Sequence, residues 1–138
     1  MHFIALQAEK KKIKGDIKLE SLYLFYGEET YLIEDSIKKI KKSFKELVDG
    51  INLIKIDESN IGGLLSNIET PCFGFDKKLI IVKNSGILKK EGKKKNTYLS
   101  NLADKVAEYI KENIETIIQD NVIIFVEEIV TFVVGFAV

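Results

Sequence analysis

The run Leu22-Tyr23-Leu24-Phe25-Tyr26-Gly27-Glu28-Glu29-Thr30 marks the place where this chain would hold a phosphate, if it held one. A glycine directly after an uncharged strand lets the backbone turn sharply, and a helix that follows it offers unpaired amides to an anion. A working phosphate loop reads G-x-x-x-x-G-K-[ST], in which amides cradle the phosphates, the lysine neutralises charge and the hydroxyl holds magnesium. Here there is one glycine and no Gly-Lys pair, and Glu28 and Glu29 stand where phosphates would lie. Like charges there repel. The same two carboxylates suit the first turn of a helix. The second half of such a site is an apolar strand ending in aspartate, which holds the metal. In this chain Leu79-Ile80-Ile81-Val82 ends in Lys83-Asn84, a cation where a magnesium ligand belongs. Both halves of a nucleotide site are therefore disabled. No ATP hydrolysis, no cofactor and no metal is predicted.

Other chemistries run out of residues. His2 is the only histidine, which removes histidine acid–base, triad and metal chemistry. Cys72 is the only cysteine, so it forms neither an internal disulfide nor a zinc site by itself, and nothing in the sequence activates its thiol. The 21 basic residues are all lysine, which excludes any mechanism needing an arginine fork on phosphate. No catalytic residue is assigned. The formal net charge is zero, so only local clusters argue for a charged partner. Lys77 to Lys95 holds eight lysines against one acid, Glu91, and includes Lys89, Lys90, Lys93, Lys94 and Lys95. That segment either contacts DNA or an acidic partner, or is a solvated loop. Lys10, Lys11, Lys12 and Lys14 pose the same choice, diluted by Glu9, Asp16 and Glu20.

The remaining candidate site is Pro71-Cys72-Phe73-Gly74-Phe75. Aromatics beside a helix-breaking proline can project from a fold, and a buried aromatic anchor is a typical interface hot spot. The competing reading packs Phe73 and Phe75 into their own core. The residues alone leave both open.

These candidates need elements to position them. Leu22–Tyr26 has no alternation, the pattern of a parallel strand covered on both faces. Ile33, Ile37, Ile40, Phe44 and Leu47 give one apolar stripe on a helix over Thr30–Val48, closed by the Asp49-Gly50 turn. Ile51–Ile56 reads as a second strand, with the partial alternation of a sheet edge. Ile61, Leu64, Leu65 and Ile68 give a short helix weakened by Gly62-Gly63 and ended by Pro71. Lys78–Val82 is a third strand and Lys83–Asn96 a loop. Leu99, Leu102, Val106, Tyr109 or Ile110, and Ile114 mark a long helix, and Val122–Val126 a fourth buried strand. Phe3–Ile13 is predicted as a short amphipathic helix. Strands alternating with helices imply right-handed crossovers and a three-layer α/β domain with a parallel sheet. With 138 residues and 46% hydrophobic content, one globular domain is expected. Ile129–Val138 is apolar but too short to span a bilayer. With no signal peptide and one cysteine, a cytoplasmic location is expected.

Two stretches carry a family resemblance. Leu22-Tyr23-Leu24-Phe25-Tyr26-Gly27-Glu28-Glu29-Thr30-Tyr31-Leu32-Ile33-Glu34 resembles the opening of the bacterial DNA polymerase III delta subunit. Ile68-Glu69-Thr70-Pro71-Cys72-Phe73-Gly74-Phe75-Asp76, continuing through Lys83-Asn84, resembles its next motif, in the same order and at similar spacing. Val122–Val126 fits the strand that follows, so the likeness covers about residues 10–128. It implies a RecA-like, AAA+-type domain over residues 1–128 that has lost ATP hydrolysis, with 129–138 as a tail of separate status. It also implies a non-catalytic accessory subunit of a DNA-directed DNA polymerase, the wrench of the clamp loader. An apolar plug enters a pocket on the sliding β clamp and opens the ring for loading on primed DNA. The plug falls on Pro71–Phe75. Family members carry two adjacent bulky apolar residues there. Here that pair falls on Phe73-Gly74, so Phe73 is the expected anchor, with Cys72 and Phe75 in support. The implied partners are the sliding β clamp, DNA indirectly, and the other loader subunits only if the family's C-terminal helical domains are supplied. Those domains do not fit in this chain, which is expected to be a fragment or shortened gene product. Two alternatives from other classes are a nucleotide-binding or otherwise enzymatic α/β domain and a lysine-rich nucleic-acid-binding module.

Overall fold

A computed structural model describes residues 21–27, 29–88 and 97–127, together with the backbone of 2–6. The elements run β1 (His2–Leu6), β2 (Leu22–Tyr26), α1 (Thr30–Lys42), β3 (Leu53–Ile56), a 3₁₀ turn (Ile61–Gly63), α2 (Leu64–Glu69), β4 (Lys78–Lys83), α3 (Thr97–Asp120) and β5 (Asn121–Glu127). They form one sheet in the order β1-β2-β5-β4-β3. β2, β5, β4 and β3 are parallel, with Leu24 opposite Phe125, Ile80 opposite Ile123 and Ile54 opposite Ile80.

The unbroken apolar runs follow from having helices on both faces. α1 buries Ile33, Ile37 and Ile40 against Tyr23, Phe25, Leu79, Ile81, Val122 and Ile124. On the other face α2 and α3 bury Leu64, Ile68, Val106, Ile110 and Ile117 against Leu22, Leu24, Ile80, Val82, Ile123 and Phe125. Successive strand residues thus feed opposite cores, and neither can be polar. The three-layer α/β expectation holds, and β3 lies at a sheet edge as its weaker pattern suggests.

Two expectations need correction. Residues 2–6 are not helical: β1 pairs antiparallel with β2, His2 opposite Tyr26 and Leu6 opposite Leu22, which makes the sheet mixed. The open edge of β2 offers a row of unpaired backbone groups, and pairing with them overrides a short stretch's helical periodicity. The first helix ends at Lys42 rather than Val48. Ser43 caps it with its hydroxyl on the Ile40 carbonyl, 2.5 Å away, and Asn52 then captures the following segment. Asn52 is fully buried; its Oδ1 accepts the Val48 N–H at 2.6 Å and its Nδ2 donates to the Glu46 carbonyl at 2.7 Å. Phe44 and Leu47 still pack on the α1 core, so the apolar stripe outlasts the helix. After β4 the chain runs as a loop through residues 84–88, with Ile87 and Leu88 buried with the α3 core. The tail 129–138 and the clusters Lys10–Lys14 and Lys89–Lys95 lie outside the described residues.

Candidate functional site

The two candidate regions sit at opposite edges of the sheet. Gly27, Asn84 and Glu127 close β2, β4 and β5 at the carboxyl edge, where ligands of open α/β sheets bind. Only residues 27–29 separate β2 from α1. A phosphate loop spends about eight residues on that connection, and its length is what lets several amides wrap one phosphate. Gly27 is buried, has φ 126° and gives its N–H to the Glu127 carbonyl at 3.2 Å, so this amide is spent on the sheet. The Glu29 carbonyl takes the N–H groups of Leu32 and Ile33 at 3.0 and 3.2 Å, a tight helix start. Glu28 lies outside the described residues. Glu127 is buried, and its Oε1 accepts the Gly86 N–H at 3.2 Å. An acid closing an apolar strand is visible in the sequence, but its burial and its bond to the Gly86 amide are not. Lys83, at the end of β4, is drawn to Glu34 of α1 with 2.6 Å between Nζ and Oε1. A cleft of about 580 Å³ opens beside them, and its charged lining alternates Lys41, Lys55 and Lys83 with Glu34, Asp57 and Glu58. Such a lining focuses no field on an anion. At this edge the Gly27 amide and the Lys83 ammonium both have partners within the protein.

The amino edge carries the Pro71–Phe75 segment. α2 ends at Glu69, and Thr70 is extended (φ −69°, ψ 127°), the conformation that the Pro71 ring imposes on the residue before it. Thr70 also returns its hydroxyl to the Ser66 carbonyl at 2.6 Å. Cys72 to Phe75 is a β-turn, closed by the Phe75 N–H on the Cys72 carbonyl at 3.3 Å, with Gly74 third at φ 86°. A positive φ at that position is the signature of a type II turn and favours glycine. Gly74 is thus the residue that makes the turn. It leaves Phe73 at the corner, 82% exposed, so Phe73 does not pack into its own core. Pro71 is exposed and Cys72 and Phe75 are half-buried. Phe75 and Phe44 line a groove of about 440 Å³ between this turn and the segment after α1.

A second apolar residue stands nearby. The Cys72 thiol lies 3.9 Å from the Ile51 carbonyl and 3.9 Å from that of Lys77, and the Ile51 side chain is half exposed. Nothing in the sequence set Ile51 apart from the other isoleucines. Burial pushes the Cys72 thiol above its ordinary pKa, with the Lys78 ammonium pulling the other way. A thiol held protonated is a poor nucleophile.

The root of the turn is fixed from below. Lys78 is buried, and its ammonium donates to the carbonyls of Asn67 and Thr70 at the end of α2. A cation there complements the helix dipole and fills carbonyls that the last turn leaves open. Burial lowers the Lys78 pKa, opposed by Cys72 and Asp120. Lys77 Nζ donates to the Ile118 carbonyl at 3.1 Å, and Asn121 Nδ2 approaches that of Ile68 at 3.5 Å.

The family model for the DNA polymerase III delta subunit matches residues 23–128. The Bacillus subtilis DNA polymerase III subunit delta is 30% identical over 84 residues, 59% of this chain and 24% of that protein. The solved structure of a Bacillus subtilis DNA clamp loader delta protein superposes with a TM-score of 0.59 at 24% identity, over 81% of this chain and 33% of that one. The chain thus spans a quarter to a third of the length of these relatives. A family match across most of the chain, on the same strands and turn that build both sheet edges, places this protein in the DNA polymerase III delta subunit family.

Proposed function

We propose that this domain is the clamp-opening module of a replicative clamp loader. Phe73 enters an apolar pocket on the sliding β clamp, Ile51, Cys72 and Phe75 widen the contact, and docking strains the ring so that it opens for loading on primed DNA. The observation that carries this reading is an aromatic ring 82% exposed at the corner of a turn whose root is tied to the sheet. An exposed aromatic ring held on a fixed turn is the kind of anchor that a pocket on a partner can cover. The domain performs no chemistry in this scheme. Its three-residue crossover and the buried Glu127 leave the energy of ATP hydrolysis to other subunits. The work belongs to the cytoplasmic replisome, beside DNA and the other loader subunits.

The test is a titration of the sliding β clamp with the wild-type chain and with Phe73→Ala. Tight binding by the wild type that collapses in the variant supports the reading. A wild-type chain that binds no clamp ends it.

A further inference from the structure

α2 has six residues, Leu64–Glu69. A helix that short does not hold itself together in water, since nucleation costs more than a few hydrogen bonds return. Its C-terminal end must therefore be held by the rest of the fold, and the Phe73 turn hangs from that end. The tie is the ammonium of Lys78, the first residue of β4, which reaches the carbonyls of Asn67 and Thr70. One of these lies within the helix and the other just before Pro71. Lys78 itself is 3% exposed. Cys72, on the turn, and Asp120, at the end of α3, are the groups that act on its charge. Two carbonyls converging on one buried cation fix both where α2 stops and where the chain leaves it.

We propose that Lys78 is the positioning residue of the plug: by holding the last carbonyls of α2 against the start of β4, it sets the direction in which Phe73 meets its partner. This rests on the docking function proposed above for Phe73. Lys78 touches no partner. It acts through the turn, and its removal unhooks the turn before it unfolds the sheet. β4 keeps its ladders to β3 and β5 without that side chain, because those bonds are backbone.

The test uses the whole chain and two measurements on Lys78→Met. The first is amide hydrogen exchange, read without any clamp. The Thr70 and Phe75 amides should exchange about tenfold faster, while those of Ile80 and Ile123 in the sheet change by less than about twofold, since local openings are separable from global ones. The second is clamp affinity. Kd should rise about tenfold with Phe73 present and less than about twofold in a Phe73→Ala background, because residues acting through one contact are not additive. If Lys78→Met does not fold, Lys78→Gln, which keeps a polar terminus, is read the same way. Equal acceleration at turn and sheet overturns the inference, as does an unchanged turn. An equal loss of clamp affinity with and without Phe73 overturns it too. A wild-type chain that binds no clamp refutes the docking function instead, and the exchange data tell the two failures apart.

Discussion

If Phe73 docks as proposed, truncating it separates docking from folding. A phenylalanine can bury about 200 Å² of surface. With the ring 82% exposed, about 160 Å² of that is still in water and available to a partner. At about 25 cal/mol per Å², full burial would contribute at most about 4 kcal/mol. Alanine keeps a little of this contact, and truncated aromatic anchors lose about 2–4 kcal/mol. At about 1.4 kcal/mol per tenfold, clamp Kd should rise between about 30-fold and about 700-fold in Phe73→Ala. Folding stability should move by less than about 0.5 kcal/mol, since the ring supports almost nothing in its own chain. The assay is a surface or calorimetric titration of the clamp, paired with urea unfolding of each variant. Tyr31→Ala is the control. Tyr31 is 80% exposed, but it sits on the first turn of α1 at the opposite edge of the sheet, and its removal should leave Kd unchanged. A Phe73→Ala domain that binds within about threefold of wild type would refute the argument, as would equal losses from the two variants, because exposure alone would then explain both.

Gly74→Ala should destabilise the domain by about 1–2 kcal/mol and weaken docking as well, because alanine resists φ 86° although the space a Cβ would fill is open; thermal unfolding reads the first effect and clamp titration the second. Asn52→Ala should cost roughly 2–4 kcal/mol, visible as a lower urea midpoint at unchanged slope, since it strands the Val48 N–H and the Glu46 carbonyl. Alkaline stability should also change in Cys72→Ala. The folded thiol titrates above 9.0, so its contribution is fully present below pH 9.0 and is lost as pH rises through the folded value. Lys78 works in the opposite sense: its folded pKa lies below 10.5, so stability rises with pH between the two values. Removing Cys72 deletes the falling contribution and also its upward pull on the Lys78 pKa, and both changes make unfolding free energies measured from pH 8 to 10.5 decline less steeply than in wild type.

Much of this domain is readable in one dimension. Leu22–Tyr26, Leu79–Val82 and Val122–Val126 have no polar residue because helices cover both faces, and that requirement is written into consecutive positions. The shortness of the crossover from β2 to α1 is equally local. No packing can supply a missing Gly-Lys pair or lengthen a three-residue crossover. The placement of β1 was not readable, because the edge of β2 that recruits it is sixteen or more residues away along the chain. Nor was the end of α1, which Asn52 sets from ten residues beyond Lys42 by taking the Val48 and Glu46 backbone groups.

The Pro71–Phe75 segment divides the same way. Its composition, a proline and two phenylalanines around a glycine, narrows the choice to an anchor or a piece of core and goes no further. The turn geometry decides which ring is exposed, because Gly74 at positive φ leaves Phe73 outward while Phe75 lines a groove with Phe44. Ile51 and Lys78 look like any isoleucine and any lysine among many. One becomes a surface knob because the β3 entry loop lies under Cys72, and the other a buried clasp because the end of α2 stops above the first residue of β4. Sequence fixes what each residue can do with its immediate neighbours; exposure and pairing depend on segments that meet only when the sheet closes, and so belong to the tertiary structure.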